Sequence, residues 1–263
     1  MNDSIWIRPP ENLDLATDRV DIWRVRLSST TPSEETLSAD ERQRASRFHF
    51  DIDRDRYIVA HASLRDILAR YLQCEPSELK FSTNEYGKPL LTRSNDSAKR
   101  PSGVSRSGKP ATKVATTTNI EFNLSHSGDF VMIALARGRN VGVDIELIRE
   151  DVELENLAFR NFSQTETQEL MTLPVEQRPL GFFNCWTRKE AYIKAQGLGL
   201  SLPLGSFDVS LGEPAALLAT RPGVSESLRW SLHSLNVESN YAAALAVEGN
   251  DLEMRFWDWN AIQ

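Results

Sequence analysis

Cysteine is scarce. Cys74 and Cys185 are the only two in 263 residues, too few and too far apart for a cysteine zinc site or a disulfide framework, and both read as reduced core residues. Long apolar runs are missing as well. None exceeds Phe130 to Ala136, far short of the roughly 20 residues that cross a bilayer, which excludes a membrane-spanning helix. Met1-Asn2-Asp3-Ser4-Ile5-Trp6 has no basic start leading into an apolar stretch, so no signal peptide is read and a cytoplasmic location is expected. Positive charge is not in excess either: 37 acidic against 30 basic side chains leave a net charge of -7. No overall field draws the chain to nucleic acid, and an anionic ligand must be held by a local basic cluster. What is present, 40% hydrophobic and 25% charged residues, is the composition of an ordinary globular protein large enough to fold without staples.

Basic residues gather near the N-terminus. Arg42, Arg44 and Arg47 precede Arg54 and Arg56. Then Tyr57, Ile58, His61, Leu64, Leu68, Tyr71 and Leu72 recur at spacings of three and four, which predicts a helix over residues 54–73. Arg65 falls within that apolar stripe and requires a carboxylate or phosphate partner. From Thr92 to Asn119 there is no aromatic, Leu or Ile, and six basic residues stand against one acidic. Such a composition cannot order itself by burial. It reads as a mobile insertion dividing the chain into an N-terminal part, 1–91, and a C-terminal part, 120–263. Beyond it, Ile120 to Leu124 and Phe130 to Ala136 read as strands joined by a polar turn, Ser125 to Asp129. A third strand is expected over Val141 to Ile148, and a helix over Arg178 to Gln196 stopped at Gly197. Alternating runs at Phe207 to Leu211, Leu228 to Leu232 and Tyr241 to Val247 suggest a further sheet.

Two segments could do chemistry. In Val141-Gly142-Val143-Asp144-Ile145-Glu146-Leu147 the apolar side chains share one face, and Asp144 and Glu146 share the other. Two carboxylates so close repel unless water or a cation separates them, and Mg2+ takes such hard oxygen ligands. The competing reading is a solvated outer face. In the helix, Trp186, Glu190 and Lys194 are spaced by four, so Glu190 can supply a third ligand with Lys194 beside it. An isolated Glu–Lys pair at that spacing contributes only about 0.2–0.5 kcal/mol, but Trp186 on the same face favours a half-buried site. Other patterns fail. Gly103 to Lys109 matches a phosphate-binding loop only until Pro110, where a hydroxyl is needed. Gly197-Leu198-Gly199 follows a helix rather than a strand. Ser125 and His126 are adjacent, so their side chains diverge, and no nucleophile elbow surrounds the serine.

Together the segments Phe81-Ser82-Thr83-Asn84-Glu85-Tyr86-Gly87-Lys88-Pro89, Asn123-Leu124-Ser125-His126-Ser127, Gly142-Val143-Asp144-Ile145-Glu146 and Trp186-Thr187-Arg188-Lys189-Glu190-Ala191-Tyr192-Ile193-Lys194 resemble the 4'-phosphopantetheinyl transferases of the surfactin-synthetase-activating type. The resemblance implies an α+β fold: a pseudo-twofold monomer of two similar α/β halves with a ligand cleft between them. It implies transfer of 4'-phosphopantetheine from coenzyme A to a serine of an apo acyl or peptidyl carrier protein, with release of 3',5'-ADP. By motif position it makes Asp144, Glu146 and Glu190 the Mg2+ ligands, with Glu190 also helping to deprotonate the serine. It makes Lys194 a catalytic phosphate contact, and Lys88, Ser125 and His126 contacts to the pyrophosphate and adenosine side. It makes Arg44 the contact to the 3'-phosphate. Glu41 replaces the family's lysine three residues earlier, and Arg42 substitutes for it. Two other functions use the same residues: a Mg2+-dependent phosphohydrolase of pyrophosphate-containing nucleotides, and a non-catalytic coenzyme A binding protein.

Overall fold

The computed structural model describes residues 5–92, 119–149, 153–221 and 223–262. All of the 92–119 segment except its two end residues lies outside the described residues. The chain runs β1 (Arg19–Arg26), α1 (Ala39–Ala45), α2 (Asp51–Leu72), β2 (Phe81–Thr83), β3 (Pro89–Leu91), β4 (Ile120–Ser127), β5 (Phe130–Arg137), β6 (Val141–Leu147), α3 (Leu154–Asn161), α4 (Gln164–Thr172), α5 (Arg178–Gln196), β7 (Phe207–Val209), β8 (Leu217–Thr220), α6 (Val224–Ser227), β9 (Trp230–Ser234), β10 (Tyr241–Glu248) and β11 (Glu253–Asp258). This is the mixed α+β class that the sequence implies. No helix among the described residues is long and apolar enough to cross a membrane.

Two sheets form the centre. One has the order β11-β1-β5-β4, with β1 parallel to β11 and antiparallel to β5; the other has the order β6-β10-β9. The first sheet therefore draws strands from both sides of the 92–119 segment. Because side chains alternate along a strand, β5 serves two cores. Val131, Ile133 and Leu135 pack with Leu64, Ile67 and Leu68 of α2, while Phe130, Met132 and Ala134 pack with Val143, Ile145 and Leu245 of the second sheet. On β10 the same alternation turns Ala242, Ala244 and Ala246 toward the α5 core. The layers are thus helix, sheet, sheet, helix, and β5 reads as a near-continuous apolar run because neither of its faces meets water.

Local chemistry sets the ends of the elements that matter for function. Ser38 and Glu41 form a reciprocal capping box that starts α1, with Glu41 N–H donating to Ser38 Oγ at 3.2 Å. Helix α5 begins and ends where the sequence predicts, and Gly197 closes it at φ +68°. Its packing on β6 is close: a Cβ on Gly142 would lie 2.1 Å from Ala191 O and 2.4 Å from Ala195 N. Only glycine allows the helix to lie this near the strand.

Candidate active site

Strand β4 is longer than the sequence suggests. Ser125, His126 and Ser127 belong to the strand and not to a turn, and only Gly128 and Asp129 connect β4 to β5. The reason lies in the partners of its polar side chains. Val143 N–H donates to Asn123 Oδ1 at 2.8 Å, and Leu147 N–H donates to Ser127 Oγ at 3.0 Å. Ser127 Oγ in turn donates to Glu146 Oε2 at 2.9 Å, and Ser125 Oγ donates to Asp144 Oδ1 at 2.8 Å. Alternate polar side chains of β4 thereby join the two sheets where no backbone ladder does.

Above this seam lies the even face of β6, covered by α5. Asp144 is 3% exposed, which overturns the solvated-face reading. Lys194 Nζ donates to Asp144 Oδ1 at 2.6 Å and to Ser125 Oγ at 2.9 Å. Trp186, Glu190 and Lys194 are all half-buried, as their spacing predicts. Burial first, and Asp144 next, push the carboxyls of both Glu146 and Glu190 above their ordinary range, with Lys194 pulling the other way. The donor set suits a hard cation: Asp144 Oδ2 is buried without a hydrogen-bond partner, and three carboxylates share one region. The side chains are not drawn together around a point, however, and among the described residues no group of three or more His, Cys, Asp or Glu is gathered closely enough to hold a metal.

The other face of β4 borders a cleft of about 380 Å³ between α1, α2 and the β2–β3 hairpin, lined by Arg44, Tyr57, His61, Phe81, Phe122 and Leu124 among others. The Arg44 guanidinium lies 5.8 Å from the Tyr57 ring centroid, and the Tyr57 and His61 rings are 4.1 Å apart. Arg65 finds the carboxylate it requires in Glu41: Arg65 Nε donates to Glu41 Oε2 at 2.8 Å, and its Nη1 donates to Pro76 O at 2.9 Å and Leu79 O at 3.0 Å. His126 points away from Ser125, as adjacent strand residues must; it is exposed, and partial desolvation, then Lys194, Arg56 and His61 hold its imidazole below the ordinary value.

Two of the expected cofactor contacts lie elsewhere. Arg42, two residues from Arg44 and so on a different side of α1, donates to the backbone carbonyls of Leu37 and Glu34. Lys88 Nζ donates to Ala195 O at 3.1 Å and Val141 O at 3.3 Å. Arg44 lines the cleft; Ser125, Lys194 and the carboxylates lie on the seam.

Residues 140–246 match the family model of the 4'-phosphopantetheinyl transferase superfamily, and residues 22–137 match that of the 4'-phosphopantetheinyl transferase N-terminal region. The 4'-phosphopantetheinyl transferase HetI of Nostoc sp. is 36% identical over 260 residues, 97% of this chain and 98% of that one. The chain belongs to the 4'-phosphopantetheinyl transferase superfamily. The transferase Sfp of Bacillus subtilis is 33% identical over 175 residues, 66% of each chain. A solved holo-(acyl-carrier-protein) synthase of Bacillus anthracis, in complex with CoA (3',5'-ADP), covers 41% of this chain and 94% of its own at 22% identity and a TM-score of 0.34, too distant to add to the assignment.

In this superfamily member the sequence reading missed Asn123 and Ser127 as seam residues, although the period of two in Asn123, Ser125 and Ser127 carries the signal. It also missed that Glu41 works inside the protein. Burial alone would raise the Glu41 carboxyl, but hydrogen bonds from His61, the Ser38 amide and Arg65 outweigh it and hold it at about 2. With the folded value below the unfolded one, Glu41 contributes stability that is fully present above the ordinary 4.5 and lost as the pH falls through about 2. At neutral pH, Glu41→Gln is expected to lower stability by up to about 3 kcal/mol, from about 1.4 kcal/mol for each pH unit of displacement. That gap should narrow as the pH is lowered from about 5 toward 2. Thermal melts of both proteins across this window check it, and a gap independent of pH would contradict it.

Proposed function

We propose that the protein transfers 4'-phosphopantetheine from coenzyme A to a serine of an apo acyl carrier protein or peptidyl carrier domain, releasing 3',5'-ADP. The observation that carries this reading, beside family membership, is the position of Ser125. Its hydroxyl sits between Lys194 Nζ and Asp144 Oδ1 on the strand whose opposite face borders the Arg44 cleft. A nucleotide in that cleft has an aromatic wall in Tyr57 and Phe81, a cation in Arg44 for the 3'-phosphate, and His126 on the same strand face. Its pyrophosphate then reaches across β4 to Ser125 and Lys194. Arg42 and Lys88, engaged by backbone carbonyls, are left out of this contact set.

The serine oxygen attacks the β-phosphorus, forming one P–O bond while the bond to the bridging oxygen of 3',5'-ADP breaks. Glu190 helps take the serine proton, and the Lys194 ammonium offsets the charge that develops on the leaving phosphate. A Mg2+ held by Asp144, Glu146 and Glu190 would supply further charge stabilisation on the pyrophosphate oxygens. Such local positive charge lets a chain of net charge -7 hold a polyanion.

Incubation with coenzyme A, Mg2+ and a panel of apo carrier proteins, followed by intact-mass measurement, tests the proposal. One phosphopantetheine is expected on a carrier serine. Coenzyme A breakdown that needs no carrier would establish a phosphohydrolase instead, and binding without turnover a non-catalytic coenzyme A protein.

A further inference from the structure

Both segments that carry the reactive side chains end at the same place. Val141 opens β6, three residues before Asp144, and Ala195 and Gly197 close α5, just after Lys194. The tip of the β2–β3 hairpin meets them there. Within the tip, Asn84 Oδ1 accepts from the Tyr86 and Lys88 amides, each at 2.9 Å, and Gly87 takes φ +87°, so the turn is held by its own hydrogen bonds. From this turn Asn84 Nδ2 donates to Gly197 O at 2.7 Å, while the Lys88 ammonium bridges Ala195 O of α5 and Val141 O of β6. The fit is close: a Cβ on Gly197 would lie 3.0 Å from Lys88 Cδ and 3.1 Å from Asn84 Nδ2.

We propose that Lys88 is a positioning residue that clamps β6 to the C-terminal end of α5 and so sets the spacing between Asp144 and the Glu190–Lys194 face, and that it is not a phosphate contact. This rests on the transferase reading for its consequence in turnover. The last carbonyls of a helix have no partner within the helix and carry its negative dipole end, so the half-buried Lys88 ammonium placed on them is held electrostatically as well as by hydrogen bonding. The Lys194–Asp144 bond of 2.6 Å crosses the same two elements from the residue before Ala195 to a point three residues further along β6 than Val141. Lys88 and Lys194 therefore form two rungs between β6 and α5, one structural and one facing the reaction. The hairpin that carries the clamp also supplies Ser82, Thr83 and Pro89 to the cleft wall, and Asn84 ties it to Gly197 independently of Lys88, so loss of the ammonium leaves that wall attached.

Lys88→Met, Lys88→Arg and Asn84→Ala separate this role from phosphate binding, with three readouts: coenzyme A affinity by calorimetry, transfer rate at saturating coenzyme A, and amide hydrogen exchange over the last turn of α5. For Lys88→Met the affinity is expected to stay within about three-fold of the parent, a shift well under one ten-fold step in binding. The saturated rate should fall by about ten-fold or more, and exchange over the α5 end should quicken by about ten-fold or more, the opening that follows loss of two charge-assisted hydrogen bonds. Lys88→Arg should recover part of both, because a guanidinium can also serve two carbonyls. Asn84→Ala should give a milder version of the same pattern, and it carries the test if Lys88→Met does not fold. Unchanged exchange, or faster exchange with an unchanged saturated rate, overturns the proposal. A loss confined to coenzyme A affinity returns Lys88 to the phosphate. If the parent protein modifies no carrier, the exchange arm still decides whether the clamp exists, and the failure belongs to the transferase reading.

Discussion

Asp144→Ala is expected to lower carrier modification by about 10²–10³-fold while leaving the protein folded. Loss of one charge-stabilising group at a developing anion typically has that effect on turnover. Asp144 is where the constellation meets. Its Oδ1 takes both the Ser125 hydroxyl and the Lys194 ammonium, its Oδ2 is buried without a partner, and it is the leading charge acting on both Glu146 and Glu190. Removing the carboxylate frees Lys194, whose side chain retains 27% exposure, so the ammonium can be rehydrated and folding is spared. Asp144→Asn refines the result: it keeps the shape and an acceptor for Ser125 but removes the charge. Single-turnover assays read by intact mass should place it close to Asp144→Ala. Activity within about three-fold of the parent for the Asn variant would mean that charge at this position does not matter. Transfer that persists in excess chelator would remove Mg2+ from the account and leave the Asp144–Lys194 pair in place.

Lys189→Met should have the largest effect on stability. Lys189 precedes Glu190 in the same motif, yet its side chain is 0% exposed and pairs at 2.8 Å with Glu166, which is 1% exposed. Its ammonium also donates to Leu204 O at 2.8 Å and Phe207 O at 2.6 Å and lies 4.3 Å from the centroid of the Phe207 ring. Methionine fills the volume but leaves the Glu166 charge and two carbonyls uncompensated in the core. Breaking a buried pair in this way costs about 3–5 kcal/mol. For a domain of this size each kcal/mol moves the melting temperature by about 2–4 °C, so thermal unfolding reads the effect directly. Adding Glu166→Gln to Lys189→Met should return part of the loss, since the orphaned charge is then gone; the return is incomplete because the Ser163 and Val209 amides donate to different oxygens of Glu166, at 2.9 Å and 2.8 Å, and glutamine keeps an acceptor for only one of them. A change below about 1 kcal/mol for Lys189→Met would show that the pair contributes little over an apolar replacement.

Legibility in the sequence followed how locally each feature is determined. Helix α5 was readable to the residue because its period and its left-handed glycine stop are both local. Helix α2 was readable to within a turn, Asp51–Leu72 against the expected 54–73. The burial of Asp144 was not readable, because the helix that covers it begins more than thirty residues further along the chain, at Arg178. The polar side chains of Ser125 and Ser127 suggested a turn, since a strand whose polar face bonds to another sheet looks locally like one that meets water. By motif position Arg44 was expected at the 3'-phosphate, with Arg42 standing in for a missing lysine beside it. Once the Ser38–Glu41 box starts a helix there, its 3.6-residue period sends one to the cleft and the other to the backbone of the preceding loop. The family motifs gather residues whose side chains meet across neighbouring elements, as Ser125 and Lys194 meet at Asp144. They were less informative at Lys88, where the same lysine can serve a ligand or a helix end.

Strand β4 has a property that none of its residues has alone. Its even-numbered side chains Phe122 and Leu124 turn toward α2 and the cleft, with the exposed His126 following on the same face, and its odd-numbered ones, Asn123, Ser125 and Ser127, turn toward β6. Because a shift of one residue exchanges the two faces of a strand, losing or gaining a single residue here would present leucine and histidine to the carboxylates and serines to the cleft. Point substitutions on β4 can therefore alter one site and spare the other, but a change in its length cannot, so the spacing within the strand is a stricter inheritance than its composition.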